Sequence, residues 1–161
     1  MQAGPSDPPA RLAYRRQDSG QTLAQGLEEY YAANLGRVVR PRDLSPESVA
    51  LFRSHDICHV IFGLDTTLED EAVADTRTLF SCDVGFGRYA AYLTQDRQAR
   101  AIFRETGYAK SAWATVLAIP RICRAAVEAW RMKTRWPWTP PQSFQARSLA
   151  DLRREFRIRV I

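Results

Sequence analysis

Apolar residues recur at intervals of three or four along most of the chain, which is the period of an amphipathic helix. The pattern predicts a first helix over residues 22–35. A serine, a proline and a glutamate in succession at 45–47 are typical of a helix start, so a second helix is predicted from Pro46 to Phe62, where Gly63 ends it. This second helix is apolar nearly all round, which indicates a buried helix.

The rest of the chain also follows the helical period. Further helices are predicted over residues 68–80, 88–94, 96–104 and 111–133. No strand-like alternation of any length is present, so we expect an all-α protein, a single-domain bundle of six to seven helices over residues 19–161. The opening residues are rich in proline and have no signal-peptide pattern, which predicts a disordered lead over residues 1–18.

Composition fits one globular domain and narrows its partners. The chain has 161 residues, of which 45% are hydrophobic, and a net charge of +5 favours anionic partners such as phospholipid head groups. Basic and acidic residues are interspersed and no recognition motif is visible, so no nucleic acid is expected as a partner. Three widely spaced cysteines predict neither a disulfide framework nor a cysteine zinc cluster, and a reducing, cytoplasmic setting follows.

The two histidines of the chain carry the clearest chemistry. His55 and His59 stand four residues apart in the predicted second helix, with Asp56 between them. That spacing puts both imidazoles on one helix face, about 40° apart and roughly 6 Å along the axis, so the pair can hold one metal ion. Glu71 lies in the first turns of the predicted third helix. It would lie opposite His59, because a short turn makes the two helices antiparallel neighbours. These four residues are the candidate metal-site residues.

Two known classes of metal-dependent hydrolase have histidine motifs similar to this pair. Zincins use His-Glu-x-x-His, whereas Asp56 occupies the place of the glutamate here and no third histidine follows. Phosphohydrolases with a His-Asp dipeptide need a further histidine upstream, and none precedes His55. Both classes are therefore disfavoured. The residues alone leave metal binding and an accidental histidine pair, one imidazole in the core and the other exposed, as open alternatives.

The longer stretch HDICHVIFGLDTTLEDEAV, residues 55–73, resembles the signature of the Coq-four family of ubiquinone (coenzyme Q) biosynthesis proteins. The predicted first helix is similar to the family's helix before that motif. Residues 148–158 are similar to its Ser-Leu-x-x-Leu-Arg-x-Glu-Leu-x-Ile ending. The resemblance covers residues 22–158, and the chain departs from it at Asp70, where the family usually has glycine.

The resemblance implies a fold, a site and a reaction. It implies an all-helical protein with an apolar lipid-binding tunnel beside His55, Asp56, His59 and Glu71, which would form the metal site, with Zn²⁺ as the expected ion. The implied function is that of a metal-dependent C1 decarboxylase of a polyprenylated hydroxybenzoate, a carbon–carbon lyase in which Asp56 or Glu71 manages the proton. The alternative is a non-catalytic scaffold that binds prenyl lipid in a quinone-biosynthesis complex.

The implied partners are a polyprenylated aromatic lipid, other quinone-biosynthesis proteins and a second copy of the chain in a homodimer. A cytoplasmic protein held peripherally on the inner face of a membrane is expected. Cations and interfacial aromatics near the C-terminal side predict the docking surface: Arg121, Arg124, Trp130, Arg131, Lys133, Arg135, Trp136 and Trp138. The alternative is that Trp130 packs in the core while the cations are solvated on a helix exterior.

Overall fold

The computed structural model describes residues 12–35, 46–89 and 108–161. The α-helices within these ranges are α1 (Leu23–Ala33), α2 (Pro46–Phe62), α3 (Leu68–Ser81), α4 (Tyr108–Arg131) and α5 (Leu149–Phe156). Residues 86–89 are also helical, and short 3-10 helices cover Ala13–Arg15 and Gln142–Ala146. The described ranges contain no β-strand, which confirms the all-α prediction. The helix predicted over 96–104 lies outside the described residues.

Local sequence signals set several of the helix ends. Thr22 caps α1 by accepting a hydrogen bond from the backbone N–H of Gln25, whose side chain in turn accepts from the backbone N–H of Thr22. This is a capping box, which satisfies two donors that a helix end leaves free. Helix α5 was not predicted from the apolar period. Its N-cap is Ser148, whose hydroxyl accepts from the backbone N–H of Asp151. A serine cap followed by a leucine pair was the available signal.

Helix α2 lies in the core, as its all-round apolar sequence predicts. Its last turns bury Ile57, Val60 and Ile61, and both α1 and α3 pack against it. Helix α4 packs along α3 more extensively than any other pair of helices in the described ranges. The inward face of α4 carries mostly small side chains, since its buried residues are Ala114, Ala118, Ala125 and Glu128. No helix within the described ranges is long and apolar enough to cross a bilayer.

The predicted disordered lead is wrong for residues 12–18, and residues 1–11 lie outside the described ranges. Tyr14 is fully buried, and its hydroxyl donates to the backbone carbonyl of Leu64 at 2.9 Å. The Glu29 carboxylate accepts from the backbone N–H groups of Ala13 and Tyr14. Tyrosine burial and these hydrogen bonds stabilise a short segment that has little helical pattern of its own, so the folded domain begins by residue 12.

A buried arginine joins this N-terminal segment to α2 and α5. The Arg153 guanidinium donates to the backbone carbonyls of Tyr14, Arg16, Val60 and Ile61. The carbonyls of Val60 and Ile61 belong to the last turn of α2, where helical geometry leaves them without an intrahelical partner. Arg153 therefore completes the C-terminal end of the helix that carries both histidines.

Candidate metal centre

The turn between α2 and α3 places Glu71 against the histidines. Gly63 ends α2 with φ +72°, and a Cβ at this position would come within 2.7 Å of Val160 Cγ1, so glycine is required. The Asp70 carboxylate is buried and accepts from the backbone N–H of Asp65 at 2.7 Å. It also forms ion pairs with Arg121 at 2.5 Å and Arg15 at 3.3 Å. Asp70 thus fixes the first turn of α3, directly before Glu71.

The structure brings His55, His59 and Glu71 together in one cluster. A ligand atom from each of the three lies within 4.8 Å of the others. Oε2 of Glu71 is 3.4 Å from Nε2 of His59 and 4.0 Å from Nε2 of His55. Ligand atoms of a tetrahedral zinc ion, with bonds of about 2.0–2.1 Å, stand about 3.3 Å apart, so these distances suit a metal after small side-chain shifts. An accidental pair with one imidazole in the core and the other exposed would differ from this arrangement in the exposure of His55, which is 14% here.

The three side chains differ in exposure, which gives the cluster an open side. His59 is fully buried, His55 is 14% exposed and Glu71 is 38% exposed. The His59 ring stacks on Tyr30 with a centroid separation of 5.5 Å, and His55 meets it edge-on at 4.7 Å. An ion held here would therefore face aromatic side chains on one side and approach solvent on the side of Glu71.

Unsatisfied nitrogens provide the test of whether a metal fits. Both Nδ1 and Nε2 of His59 are buried and have no hydrogen-bond partner among the described residues. The Glu71 carboxylate is at ion-pair distance from Nε2 without the alignment of a hydrogen bond. A buried polar atom without a partner costs about 1–3 kcal/mol, and a metal ion would supply the missing partner of one ring nitrogen. Two imidazoles and a carboxylate are donors that Zn²⁺ accepts.

Charges within the cluster oppose the effect of burial. Burial by itself would lower the pKa of His59, but the neighbouring Glu71 carboxylate raises it to about 9. Burial would raise the pKa of Glu71, yet the two histidines lower it to about 2. The pKa of His55 is lowered by burial and by the charge of His59. Without a metal, the pair is therefore imidazolium on His59 and carboxylate on Glu71 at neutral pH.

Asp56 does not join the cluster. It follows His55 by one residue, so its side chain leaves α2 about 100° away, and its Oδ2 accepts from the Tyr31 hydroxyl at 2.9 Å. Burial raises the pKa of Asp56 to about 6, against the opposing effect of that hydrogen bond. Asp56 is thus a buried neighbour of the histidines with a raised pKa, and the cluster contains three of the four predicted metal-site residues.

Asp75 is a neighbour that the predicted site omitted. Its Oδ1 lies 3.9 Å from Nε2 of His55, and the Tyr89 hydroxyl donates a short hydrogen bond to it. Asp75 follows Glu71 by four residues, so the two carboxylates of α3 repeat the spacing of the two histidines of α2. That repeated spacing was the available signal. No pattern in the sequence indicated the stacking of Tyr30 on His59.

One of the three tryptophans in the predicted docking surface is exposed. Trp130 is 85% exposed on α4, whereas Trp136 and Trp138 are buried in the core. The alternative of a buried Trp130 is therefore wrong as well. Arg121 is held by its ion pair with Asp70. Other large apolar side chains of α4 join Trp130 on the exposed face, which we call the outer face of α4: Trp113, Val116, Leu117, Ile119 and Val127.

Comparisons with known proteins add no family. No protein-family model, curated protein or solved structure matches this chain. A functional interpretation therefore depends on the residues of the motif and on the geometry of the cluster they form, with His55 and His59 on α2 facing Glu71 on α3.

Proposed function

We propose that this protein is a metal-dependent decarboxylase that removes the C1 carboxylate of a polyprenylated hydroxybenzoate in ubiquinone biosynthesis. The observation that carries the proposal is the cluster of His55, His59 and Glu71, in which a buried imidazole has no hydrogen-bond partner from the described part of the chain. The cluster lies within the stretch that resembles the Coq-four signature. The resemblance supplies the substrate class, and the cluster supplies a site able to hold the ion.

Zinc is the proposed ion, held by one nitrogen each of His55 and His59 and by the Glu71 carboxylate. Three protein ligands leave one position for substrate, which is the arrangement of catalytic zinc sites. A divalent cation held by these residues would supply Lewis-acid chemistry, which stabilises negative charge on a carboxylate or phenolic oxygen. The exposed side of Glu71 marks the direction from which substrate would enter.

The proton of the reaction is assigned to Asp56. When the bond from C1 to the carboxylate breaks, its electron pair stays on the ring carbon, which then takes up one proton. A carboxyl group with a pKa of about 6 is protonated in about one-tenth of the molecules at pH 7, which is enough to donate, and Oδ1 would carry the proton while Oδ2 accepts from Tyr31. Glu71, with its pKa near 2, stays ionised and suits the role of ligand better.

The substrate's tail requires an apolar path, and we propose that a tunnel beside the cluster provides it. Each buried CH₂ of an isoprenoid chain contributes about 0.8 kcal/mol. The aromatic wall formed by Tyr30 behind His59 supports an apolar surrounding for the ring. A lipid of this kind resides in a membrane, so the protein would collect it from the surface of the bilayer.

Peripheral attachment to the cytoplasmic face of a membrane is the proposed location. Support comes from the outer face of α4, where Trp113 and Trp130 stand 17 residues apart, about 25 Å along the helix. Tryptophan at both ends of an amphipathic helix is typical of a segment lying in the interface. Flotation of the protein with phosphatidylcholine vesicles tests it: the double variant W113A/W130A should stay unbound where the parent floats, and equal flotation would contradict the proposal.

The reaction is tested by incubating zinc-loaded protein with a prenylated 4-hydroxybenzoate that carries a label in its carboxylate. Labelled carbon dioxide should be released, and His55→Ala should abolish the release. Glu69→Gln is the matched control, because it removes a carboxylate from the first turn of α3 outside the cluster. Release that survives His55→Ala would refute the decarboxylase.

A second candidate function is separated by the same material. If the protein is a scaffold that presents prenylated intermediates to other quinone-biosynthesis proteins, it would bind the substrate without releasing carbon dioxide. The exposed outer face of α4 is the observation that favours this candidate, since it offers apolar surface for a partner. Substrate binding measured by quenching of tyrosine and tryptophan fluorescence distinguishes binding without turnover from failure to bind.

A further inference from the structure

A second cluster of charged residues lines a groove of about 920 Å³, which we call the arginine groove. It lies between the C-terminal half of α4, helix α5 and the end of the chain. Six arginines line it: Arg124, Arg131, Arg153, Arg154, Arg157 and Arg159. The groove shares no lining residue with the metal centre, so a ligand here is independent of the proposed decarboxylation.

The carboxylates in the wall do not balance these arginines. Glu128 is paired with Arg131 at 2.9 Å. Asp18 is paired with Arg16, which lies outside the groove, at 3.4 Å. Both acidic groups of the lining are therefore already engaged.

Some of the arginines also have partners of their own. Arg154 is paired with Asp151 at 2.6 Å, and Arg153 uses its guanidinium on backbone carbonyls. Within the described ranges, the guanidinium groups of Arg124, Arg157 and Arg159 have no carboxylate partner. Three cations thus border one concave surface without counter-charge.

The backbone of Arg157 has an unusual conformation at the end of α5. Arg157 is the C-cap of α5 and has φ 56° and ψ 41°, the left-handed conformation. It is the only residue other than glycine with positive φ in the described ranges. Glycine or asparagine is preferred at such a cap, and a larger residue costs roughly 1 kcal/mol there. The left-handed cap directs the chain after α5 along the groove, where Arg157, Ile158 and Arg159 are lining residues.

A buried cation next to the groove adds to its positive potential. Arg77 on α3 is fully buried, and its Nη2 donates to the backbone carbonyl of Arg159 at 2.8 Å. Its Nε and Nη1 have no hydrogen-bond partner among the described residues. Burial lowers the pKa of Arg77 to about 10, with Glu128 opposing the shift, so it is still charged at neutral pH. The field of Arg77 reaches Arg124 and Glu128 in the wall.

We propose that the arginine groove binds a phosphoryl group, carried either by a soluble phosphate ester or by the head group of an anionic phospholipid. Guanidinium groups present paired N–H donors that match phosphate oxygens, and Arg124, Arg157 and Arg159 would supply them from two walls and the chain's end. A concave site suits a single compact anion rather than an extended polyanion, because Asp18 and Glu128 interrupt the positive surface. The bound phosphate would satisfy the charge that the chain leaves unbalanced.

The test uses the full chain, inorganic diphosphate as the soluble probe, and vesicles of phosphatidylcholine with and without phosphatidic acid. Binding of diphosphate is measured by calorimetry and vesicle binding by flotation. The protein should bind at least one probe, and Arg124→Gln and Arg157→Gly should each weaken that binding about tenfold. Binding of diphosphate without any effect of phosphatidic acid on flotation assigns the groove to a soluble phosphate ester, whereas a gain in flotation on adding phosphatidic acid, without binding of diphosphate, assigns it to a head group.

Matched controls separate the groove from general charge. Arg88→Gln removes the same charge from an exposed residue outside the groove and should leave binding unchanged. Arg157→Gly also removes the unfavourable backbone conformation, so it should raise the melting temperature while it weakens binding. The proposal is overturned if neither probe binds, if Arg88→Gln weakens binding as much as Arg124→Gln, or if Arg157→Gly stabilises the protein without any loss of binding.

Discussion

The metal centre and the arginine groove both gather charged side chains, but they differ in what they lack. In the metal centre, the Nε2 atoms of the two histidines lie 3.4–4.0 Å from the Glu71 carboxylate, so positive and negative charge are balanced. The ring nitrogens of His59 have no hydrogen-bond partner among the described residues. The groove is lined by six arginines, and three of them have no carboxylate partner in the described ranges. The first site lacks ligand bonds and the second lacks counter-charge.

This difference indicates different ligands for the two sites. A balanced cluster with free nitrogen donors gains most from a cation that forms directed bonds, which is the property of zinc. An unbalanced cluster of guanidinium groups gains most from an anion that accepts several hydrogen bonds at once. Buried side chains strengthen the electrostatic interactions at both sites. His59 in the metal centre and Arg153 in the groove are buried, and so are their neighbours Asp56 and Arg77.

The largest expected effect is on the free energy of unfolding, and it distinguishes arginines of the groove that stabilise the fold from those that do not. Arg153→Ala should lower the free energy of unfolding by about 3–5 kcal/mol, because it removes a buried donor shared by four backbone carbonyls, two of which also accept from a backbone N–H. Arg154→Ala removes an exposed ion pair of the same helix and should cost less than about 1 kcal/mol. Urea unfolding followed by circular dichroism measures both. Equal losses would show that Arg153 is no more structural than its neighbour.

The next effect concerns the ligands of the metal centre. Glu71→Gln keeps the shape of the side chain but removes its charge, so the affinity for zinc should fall by about 100-fold or more. Competition with a chromophoric chelator measures the affinity. Glu69→Gln should bind zinc like the parent chain, since Glu69 lies outside the cluster. Zinc affinity that is the same in both variants would contradict the assignment of Glu71.

The proton on His59 makes zinc binding depend on pH. Because the pKa of His59 is raised to about 9 in the metal-free protein, zinc must displace one proton below that pH. The affinity should therefore rise about tenfold for each pH unit between 7 and 9 and then level off. Calorimetry in buffers of different ionisation enthalpy counts the released proton. Zinc affinity independent of pH over this range would refute a protonated His59.

The metal-free protein provides a control for that assignment. A raised histidine pKa stabilises the fold below its unfolded value of 6.5, and the contribution is lost as pH rises through about 9. The lowered pKa of Glu71 stabilises the fold above its unfolded value of 4.5, and that contribution is lost as pH falls through about 2. The difference in stability between the parent and His59→Ala should accordingly shrink from pH 6 to pH 10. A stability difference that stays constant over this pH range would mean that His59→Ala destabilises the protein only through the cavity it creates.

The smallest expected effect is on the face of α4 beside the groove. Trp130→Ala should change the free energy of unfolding by no more than about 0.5 kcal/mol, because the side chain is 85% exposed. Trp136→Ala should cost about 3–5 kcal/mol, since that ring is fully buried between Phe144 and Phe156. Thermal unfolding compares them. A large loss in Trp130→Ala would mean that the outer face of α4 packs against the domain.

Much of the helical architecture was predictable from local pattern. The apolar period and the residues at 46 and 63 gave both ends of α2, and Thr22 gave the start of α1. The segment 12–18 was not predictable in this way. Its order comes from Tyr14 and Arg153, whose partners lie 50 and up to 139 residues away in the sequence. Contacts of such range leave no periodic signal near the segment they stabilise.

The histidine spacing determined that two imidazoles share a face of α2, because helical geometry fixes side-chain directions within one helix. The sequence alone also named Glu71 as their neighbour. Tertiary structure decided the rest: it turned Asp56 towards Tyr31, brought Asp75 to His55, and buried Trp136 while Trp130 remained exposed. It also gathered arginines from α4, α5 and the chain's end around one groove. Those outcomes depend on how separate helices pack, and packing is set by contacts that no short stretch of sequence contains.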